Sequence, residues 1–255
     1  ALEQIYRAAC ENNPFIARMS IISAEITKIS LNAYVTMKIS FANTLANICE
    51  MIPGADVDAI SKALGADKRI SPYFLKGGIS YGGPCFPRDN KAFAAFAEQC
   101  GINAELAKAT DKVNEFQTSH LFDLVMSHIA SRNSVSILGL SYKPDTPVIE
   151  ESPAIKLIEQ LLHKGLQVVA YDPVAIDSAR KHFGDNVLYA DSPGDCFART
   201  SLCIIATQHN TFKTIDEKYI VHNPTTIIDC WRMLDQSKLG KKVEYIAYGR
   251  APERH

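Results

Sequence analysis

Ser134-Val135-Ser136-Ile137-Leu138-Gly139-Leu140, running on into Ser141-Tyr142-Lys143-Pro144-Asp145-Thr146-Pro147, decides the fold. A short apolar, β-branched run closed by glycine and proline reads as a buried strand. Downstream, a helix is predicted at about 153–164, with Gly165 placed to cap its end. Further strands are predicted at 166–171 (LQVVAY), 187–190, 202–206 (LCIIA) and 225–229 (TTIID). Helices fall near 175–183 and just ahead of 202. Strands alternating with helices imply a parallel, doubly wound sheet. Ligands of such sheets lie at the carboxyl ends of the strands, so the loops after Leu140, Tyr171 and Ala206 are candidates. The turn after the first strand is not glycine-rich, and GxGxxG occurs nowhere in the chain. This sheet therefore lacks the dinucleotide fingerprint.

The half before Ser134 has another rhythm. Ile22, Ile26, Ile29, Ala33, Met37 and Phe41 recur at three- and four-residue steps, which predicts one long helix over 21–52. Pro53-Gly54 ends it, and Asp56 can cap a helix at 57–64. Residues 65–90 are predicted to be loop and 91–100 helix. Leu106, Ala109, Val113, Phe116, Leu121, Leu124, Val125 and Ile129 then mark a long amphipathic helix over 103–130 that could bridge two domains. The first residues, Ala1 to Tyr6, read as the inside of a helix without an initiator Met, as in a fragment or trimmed chain.

The chain has 255 residues, 47% apolar and 22% charged, with a formal net charge of -1. That is the balance of a soluble globular protein, and it gives no reason to expect nucleic acid or an acidic membrane surface as partner. No apolar run approaches the length of a membrane span, and there is no secretory signal. The seven cysteines form no CxxC and no zinc spacing, which fits a reducing, cytoplasmic setting. Six of them read as small buried hydrophobes. The seven histidines are scattered, and none is assigned to a metal.

The remaining cysteine stands apart. Lys76-Gly77-Gly78-Ile79-Ser80-Tyr81-Gly82-Gly83-Pro84-Cys85-Phe86-Pro87 holds four glycines and two prolines, which let backbone approach a ligand closely. Asp89 follows four residues after Cys85, where a helix could begin. Lys28 and Asn32 lie at i and i+4, on one face of the long helix. A cation beside a cysteine favours the nucleophilic thiolate. Alone, each feature is also compatible with a turn holding an incidental cysteine and a solvated helix face.

Taken together, Ala24–Ala33 (AEITKISLNA) and Gly82–Asp89 (GGPCFPRD) resemble the UDP-glucose/GDP-mannose dehydrogenase family. Lys38–Asn43 (KISFAN), Gly54–Val57 (GADV) and Gly139–Pro144 (GLSYKP) occur in the family's order. The resemblance implies an α/β protein in which an all-helical central dimerisation domain is followed by a Rossmann-like parallel α/β C-terminal domain. The expected boundaries are 1–102 for the helical domain, 103–132 for a long connecting helix and 133–255 for the UDP-binding domain. The N-terminal NAD domain of the family is not in this chain. The implied cofactor is NAD, the implied partners are a UDP-sugar substrate and a second or further copy of the chain, and the implied location is cytoplasmic.

The family oxidises a sugar C6 alcohol to a carboxylate in two hydride transfers. The resemblance makes Cys85 the nucleophile that forms a thiohemiacetal and then a thioester. It makes Asp89 the carboxylate that helps activate the hydrolytic water, and Lys28 and Asn32 the pair that stabilises oxyanions. Arg69, Phe74, Leu75, Lys76, Gly82 and Phe86 match the substrate-binding run, and Lys143 matches a phosphate-contacting lysine. Arg88 stands where a lysine near NAD is usual. Two positions depart from the pattern. Glu150, in Ile149-Glu150-Glu151-Ser152-Pro153, replaces an arginine that contacts NAD. In Asp229-Cys230-Trp231-Arg232, Trp231 replaces an arginine that reaches the sugar or phosphate, which makes Arg232 the candidate one residue on. The resemblance leaves UDP-glucose, UDP-N-acetylmannosamine and GDP-mannose open as substrates. A dimeric UDP-sugar-binding module without turnover is the alternative of another class. A 2-hydroxyacid-type dehydrogenase has no need of Cys85 in a glycine-rich loop.

Overall fold

The computed structural model describes residues 1–251. Helices α1 (Leu2–Ala9), α2 (Ile21–Met51), α3 (Val57–Gly65), α4 (Phe86–Gln99) and α5 (Glu105–Ile129) come first. The Ser20 hydroxyl caps α2 by accepting from Ser23 N at 3.1 Å, and the Asp56 carboxylate caps α3 by accepting from Asp58 N at 2.8 Å. Only the second half of α2 is well covered. It buries Val35, Thr36, Ser40, Ala42, Asn43, Ala46 and Cys49, and it packs against α4 and α5. The small residues among these let the helices approach closely.

Helix α4 begins at Phe86, several residues ahead of the expected 91. Pro87 is compatible with the first turn because its missing N–H has no partner there in any case. Cys85 becomes the N-cap as a result, and Cys85 and Asp89 sit one turn apart on one face, with Asp89 N donating to Cys85 O at 2.8 Å.

The second unit is a six-stranded, wholly parallel sheet of β1 (Ser134–Leu138), β2 (Gln167–Tyr171), β3 (Leu188–Tyr189), β4 (Leu202–Ile205), β5 (Thr225–Asp229) and β6 (Val243–Ala247). The strand order is β3-β2-β1-β4-β5-β6, with the order reversing between β1 and β4. The sixth strand was not expected. It pairs with β5 from Thr225↔Val243 to Asp229↔Ala247, but its short apolar run follows two lysines and is only half-buried, so it carries no core-strand signal. Helices α6 (Pro153–His163), α7 (Ile176–Phe183) and α8 (Pro193–Arg199) cross over between strands. Helix α6 ends as expected, with Gly165 just past it at φ +77.

Period-two alternation sorts the strand residues between faces. Val135 and Ile137 of β1 join Leu121, Val125 and Ile129 of α5 and Ile155 and Ile158 of α6 in one core. Leu138 points the other way, toward Phe197 of α8, Val169, Ile205 and Phe212. A fully buried Leu or Ile contributes about 1.5–3 kcal/mol, so these two layers dominate the fold's stability. Truncating Ile137 to Ala would cost about 2–5 kcal/mol. Because α5 packs on α6 as well as on α2 and α4, it joins the helices to the sheet and sets their relation.

Of the six cysteines read as buried hydrophobes, Cys49, Cys196, Cys203 and Cys230 are buried. Cys10 is half-buried, and Cys100, the C-cap of α4, is exposed, contrary to expectation, because the helix ends there on the surface. Among the described residues no helix is long and apolar enough to cross a membrane.

Candidate active site

A cavity of about 460 Å³ opens where the helices meet the carboxyl ends of the strands. Its walls come from α2 (Ile39, Asn43), from the glycine-rich segment (Phe74, Lys76 and Ile79 through Phe86) and from the loops after β1 (Tyr142, Lys143) and β4 (Ala206, Gln208). Trp231, just past β5, and Pro153 at the start of α6 complete it. Two of the three strand-end loops singled out by topology therefore reach the cavity. The third, after Tyr171, is occupied otherwise. Asp172 there is buried and accepts from Leu140 N at 2.7 Å, Ser141 N at 3.1 Å, Val174 N and Ala175 N at 2.8 Å, and lies 3.1 Å from His209 Nε2. Burial alone would push its carboxyl up, but the His209 contact and these N–H donors hold it well below the usual range.

The glycine-rich segment is tied down at several points. Gly82 packs so tightly on the turn before α6 that a Cβ would stand 2.1 Å from Glu151 O. Gly78 lies flat against the Trp231 ring, where a Cβ would approach to 2.7 Å. That ring is itself fixed, because Trp231 Nε1 donates to Ala206 O at 2.9 Å. Gly83 N donates to Glu150 O at 3.0 Å. The residue at 150 thus serves the segment through its backbone while its side chain is exposed to solvent.

At the thiol end, Cys85 is exposed and lines the cavity at the N-terminus of α4. Asp89 is buried beside it, and its Oδ2 accepts from Asn32 Nδ2 at 2.7 Å and from Lys28 Nζ. Arg88 Nε lies 3.7 Å from Asp89 Oδ1. The Lys28 ammonium, assisted by Asn32, outweighs burial and holds the Asp89 carboxyl below its ordinary range. Lys28, Asn32 and Asp89 therefore form one cluster, assembled from α2 and the first turn of α4, with Cys85 one turn before Asp89. The Lys28 side chain is 62% exposed, so this pair leaves its ammonium accessible.

Lys76 and Lys143 put two cations on the cavity wall. Removal from water, reinforced by the Arg232 guanidinium, pushes the Lys76 ammonium down, although part of its side chain reaches solvent. Lys143 Nζ sits 5.5 Å from the centre of the Tyr142 ring. Phe74 and Phe86 meet edge to face with centroids 6.4 Å apart, and Tyr81 meets Phe86 likewise at 6.2 Å.

Three expected substrate residues lie elsewhere. Leu75 turns into the protein and is buried. Arg69 is exposed and forks onto Asp67, with Nη2 to Oδ2 at 2.6 Å. Arg232 does not line the cavity. Its side chain is 1% exposed, and Nε and Nη2 reach both Asp58 oxygens at 2.8 and 2.9 Å while Nη2 also donates to Gly77 O at 2.7 Å. The guanidinium is engaged in tying the segment after β5 to α3 and to Gly77, and it is Trp231 that faces the cavity. Sequence reasoning gave no role to Asn43, Tyr142 or Gln208, although the first two fall within the motifs Lys38–Asn43 and Gly139–Pro144. A lone asparagine in a helix has no periodic signature, and the two loop residues were flagged only as parts of their motif or loop.

Of the two positions matched to NAD contacts, Arg88 presents a largely exposed guanidinium beside Asp89. Glu150 does not fit, because an exposed carboxylate repels a pyrophosphate.

The description of the UDP-glucose/GDP-mannose dehydrogenase central domain matches residues 22–116, and that of the family's UDP binding domain matches residues 136–236. The UDP-glucose 6-dehydrogenase AglM of Haloferax volcanii is 37% identical over 223 residues, which are 87% of this chain and 51% of that protein. TuaD of Bacillus subtilis, also a UDP-glucose 6-dehydrogenase, is 36% identical over 79% of this chain and 44% of its own length. The chain thus spans about half the length of these relatives. A UDP-glucose dehydrogenase from Pyrobaculum islandicum superposes with a TM-score of 0.86 at 28% identity, over 98% of this chain and 56% of that one. With the sheet, the cavity and the thiol cluster all in place, the two matched domains assign the chain to the UDP-glucose/GDP-mannose dehydrogenase family.

Proposed function

We propose that this chain is the substrate-binding and thiol-bearing part of an NAD-dependent nucleotide-sugar 6-dehydrogenase, with UDP-glucose as the substrate. The observation that carries the reading is that one cavity is lined by two cations, several aromatic rings and Cys85, with Asp89 and its partners Lys28 and Asn32 one helical turn beyond the thiol. The cations and rings suit a nucleoside diphosphate, which presents a ring and two phosphates. The thiol suits a sugar carbon undergoing oxidation. NAD, when bound, accepts the hydride in each oxidation. The Cys85 thiolate adds to the C6 aldehyde to give a tetrahedral thiohemiacetal, whose oxyanion Lys28 and Asn32 stabilise. Loss of the second hydride leaves a thioester, and Asp89 positions the water that hydrolyses it. Donors of this kind are typically worth about 3 kcal/mol each.

The same reading takes the chain as a dimer. Leu31, Tyr34, Phe41 and Ile48 of α2, spaced by three and seven residues, form a stripe between 49% and 60% exposed. An apolar stripe of this length is a natural seat for a second copy. Light scattering at micromolar concentration reads it directly, with a dimer expected.

Trp231 is the only tryptophan and lies in the cavity, so ligand binding should change its emission. The test is a titration of UDP-glucose, UDP-N-acetylmannosamine and GDP-mannose, read by that emission and by thermal shift. Ligand at 100 times its dissociation constant stabilises by about 2.7 kcal/mol. A preference for GDP-mannose, or no binding at all, overturns the reading. In a protein that also carries the NAD domain, Cys85→Ala should abolish oxidation of the C6 aldehyde while sparing much of the first step. Near-wild-type aldehyde oxidation by that variant excludes Cys85 as nucleophile.

A further inference from the structure

Residues Gly77 to Gly83 are all buried, yet they belong to no helix or strand. Seven buried peptide units without a ladder need partners for their N–H and C=O groups. Two asparagine side chains supply them. Asn43 of α2, 1% exposed, accepts from Gly78 N at 2.9 Å and donates to Ile79 O at 3.1 Å. Asn114 of α5, 8% exposed, accepts from Tyr81 N at 2.8 Å and donates to Tyr81 O at 3.1 Å. Each primary amide thus stands in for the peptide group of a neighbouring strand, and each engages the segment through both of its ends.

The two clamps hold different parts of the cavity. Asn43 grips the end next to Lys76 and Trp231, and it lines the cavity itself. Asn114 is outside the cavity and grips Tyr81, four residues before Cys85. The Tyr81 ring in turn meets Phe86, the first residue of α4. Between Tyr81 and the helix lie only Gly82, Gly83 and Pro84 before the thiol, so the Asn114 pair fixes where the chain enters α4. We propose that Asn114 is a positioning residue for Cys85, holding the thiol at the N-terminus of α4. This rests on the reading of Cys85 as the nucleophile.

The cysteines provide the assay. Cys85 and Cys100 are both exposed and sit at opposite ends of α4. The attacking sulfur is an anion, and an anion is stabilised at the amide end of a helix and opposed at the carbonyl end, before its charge passes to the departing iodide. Iodoacetamide labelling of the chain, resolved by peptide mass spectrometry, should therefore find Cys85 ahead of Cys100. Asn114→Ala should lower the Cys85:Cys100 ratio by about threefold, the size of one misaligned helix-end interaction. Cys49, Cys196, Cys203 and Cys230 are buried and report general unfolding in the same experiment. If Asn114→Ala exposes them, Asn114→Asp decides. It keeps the shape and the acceptor for Tyr81 N, loses the donor to Tyr81 O, and should lower the ratio in the same direction. Wild-type Cys85 labelled ahead of Cys100, with the ratio unmoved in the folded variant, overturns the positioning role. Wild-type Cys85 labelled no faster than Cys100 overturns the nucleophile reading on which it stands.

Discussion

Replacing Arg232 with alanine separates a structural arginine from a substrate-binding one. The guanidinium gives both of its forked N–H groups to Asp58, at 2.8 and 2.9 Å, and further donors to Gly77 O and Tyr248 O. Removing one partner of a buried ion pair costs about 3–5 kcal/mol because the other charge is stranded. Here the lower end applies, for two reasons. The Asp58 side chain is 37% exposed, and Arg250 Nη2 remains 3.3 Å from it. A loss of about 3 kcal/mol corresponds to a fall in melting temperature of roughly 6–12 °C for a chain of this size. Circular dichroism melts and urea titrations read the loss, and Trp231 emission reads UDP-glucose affinity in the surviving folded fraction. Affinity should fall less than tenfold, because Arg232 acts on the ligand only through Gly77 and Lys76. Arg232→Lys should not rescue stability, since one ammonium cannot reproduce the planar fork. A variant with wild-type melting temperature and affinity lowered about a hundredfold would refute this reasoning and return Arg232 to the substrate.

Gly82→Ala should cost about 1–3 kcal/mol and weaken UDP-glucose binding, because its Cβ would meet the Glu151 carbonyl at 2.1 Å and only backbone can give way. Paired urea and Trp231 titrations measure both effects. His120 of α5 lies 2.6 Å from Glu50 of α2, and that hydrogen bond, against the cost of burial, holds the imidazolium above its usual range. Its contribution is therefore full below about pH 6.5, the ordinary imidazole value, and is lost as pH rises through the raised folded value. Glu50→Gln keeps an acceptor for Gly249 N but removes the charge, so thermal melts from acid to alkaline pH should show a smaller decline than wild type.

Periodicity made α2 and α5 legible to within a residue or two, because a long helix repeats its signal many times. The β-branched runs did the same for β1, β2, β4 and β5. β6 was missed because an edge strand needs only one apolar face. The early start of α4 was missed because Pro87 reads as a breaker unless the helix is known to begin beside it. Cys85, Lys28, Asn32 and Asp89 were legible as a set through motif spacing, and the structure brings them together. Arg232 and Leu75 show the opposite limit. A motif position fixes where the backbone goes, but one peptide of rotation exchanges cavity for core, as it does between Trp231 and Arg232. The clamping roles of Asn43 and Asn114 were invisible for a related reason. Their partners are backbone groups of a segment 30 or more residues away, and backbone leaves no mark in a side-chain pattern.

The Lys28–Asp89 pair has a consequence for the proposed chemistry. The ammonium holds the carboxyl below its ordinary range, so Asp89 is a poor proton acceptor while the pair is intact. An oxyanion forming at C6 competes with Asp89 for the same ammonium, and the exposure of Lys28 leaves it free to turn. As Lys28 shifts toward the oxyanion, Asp89 loses its largest stabilising partner, and its buried position then raises its affinity for a proton. On the proposed mechanism the carboxylate thus becomes a better base when water attacks the thioester, the step that generates an oxyanion and requires a proton to be removed. A single lysine shared between two anions would time the base to the intermediate, and a permanently unpaired aspartate in the same place could not.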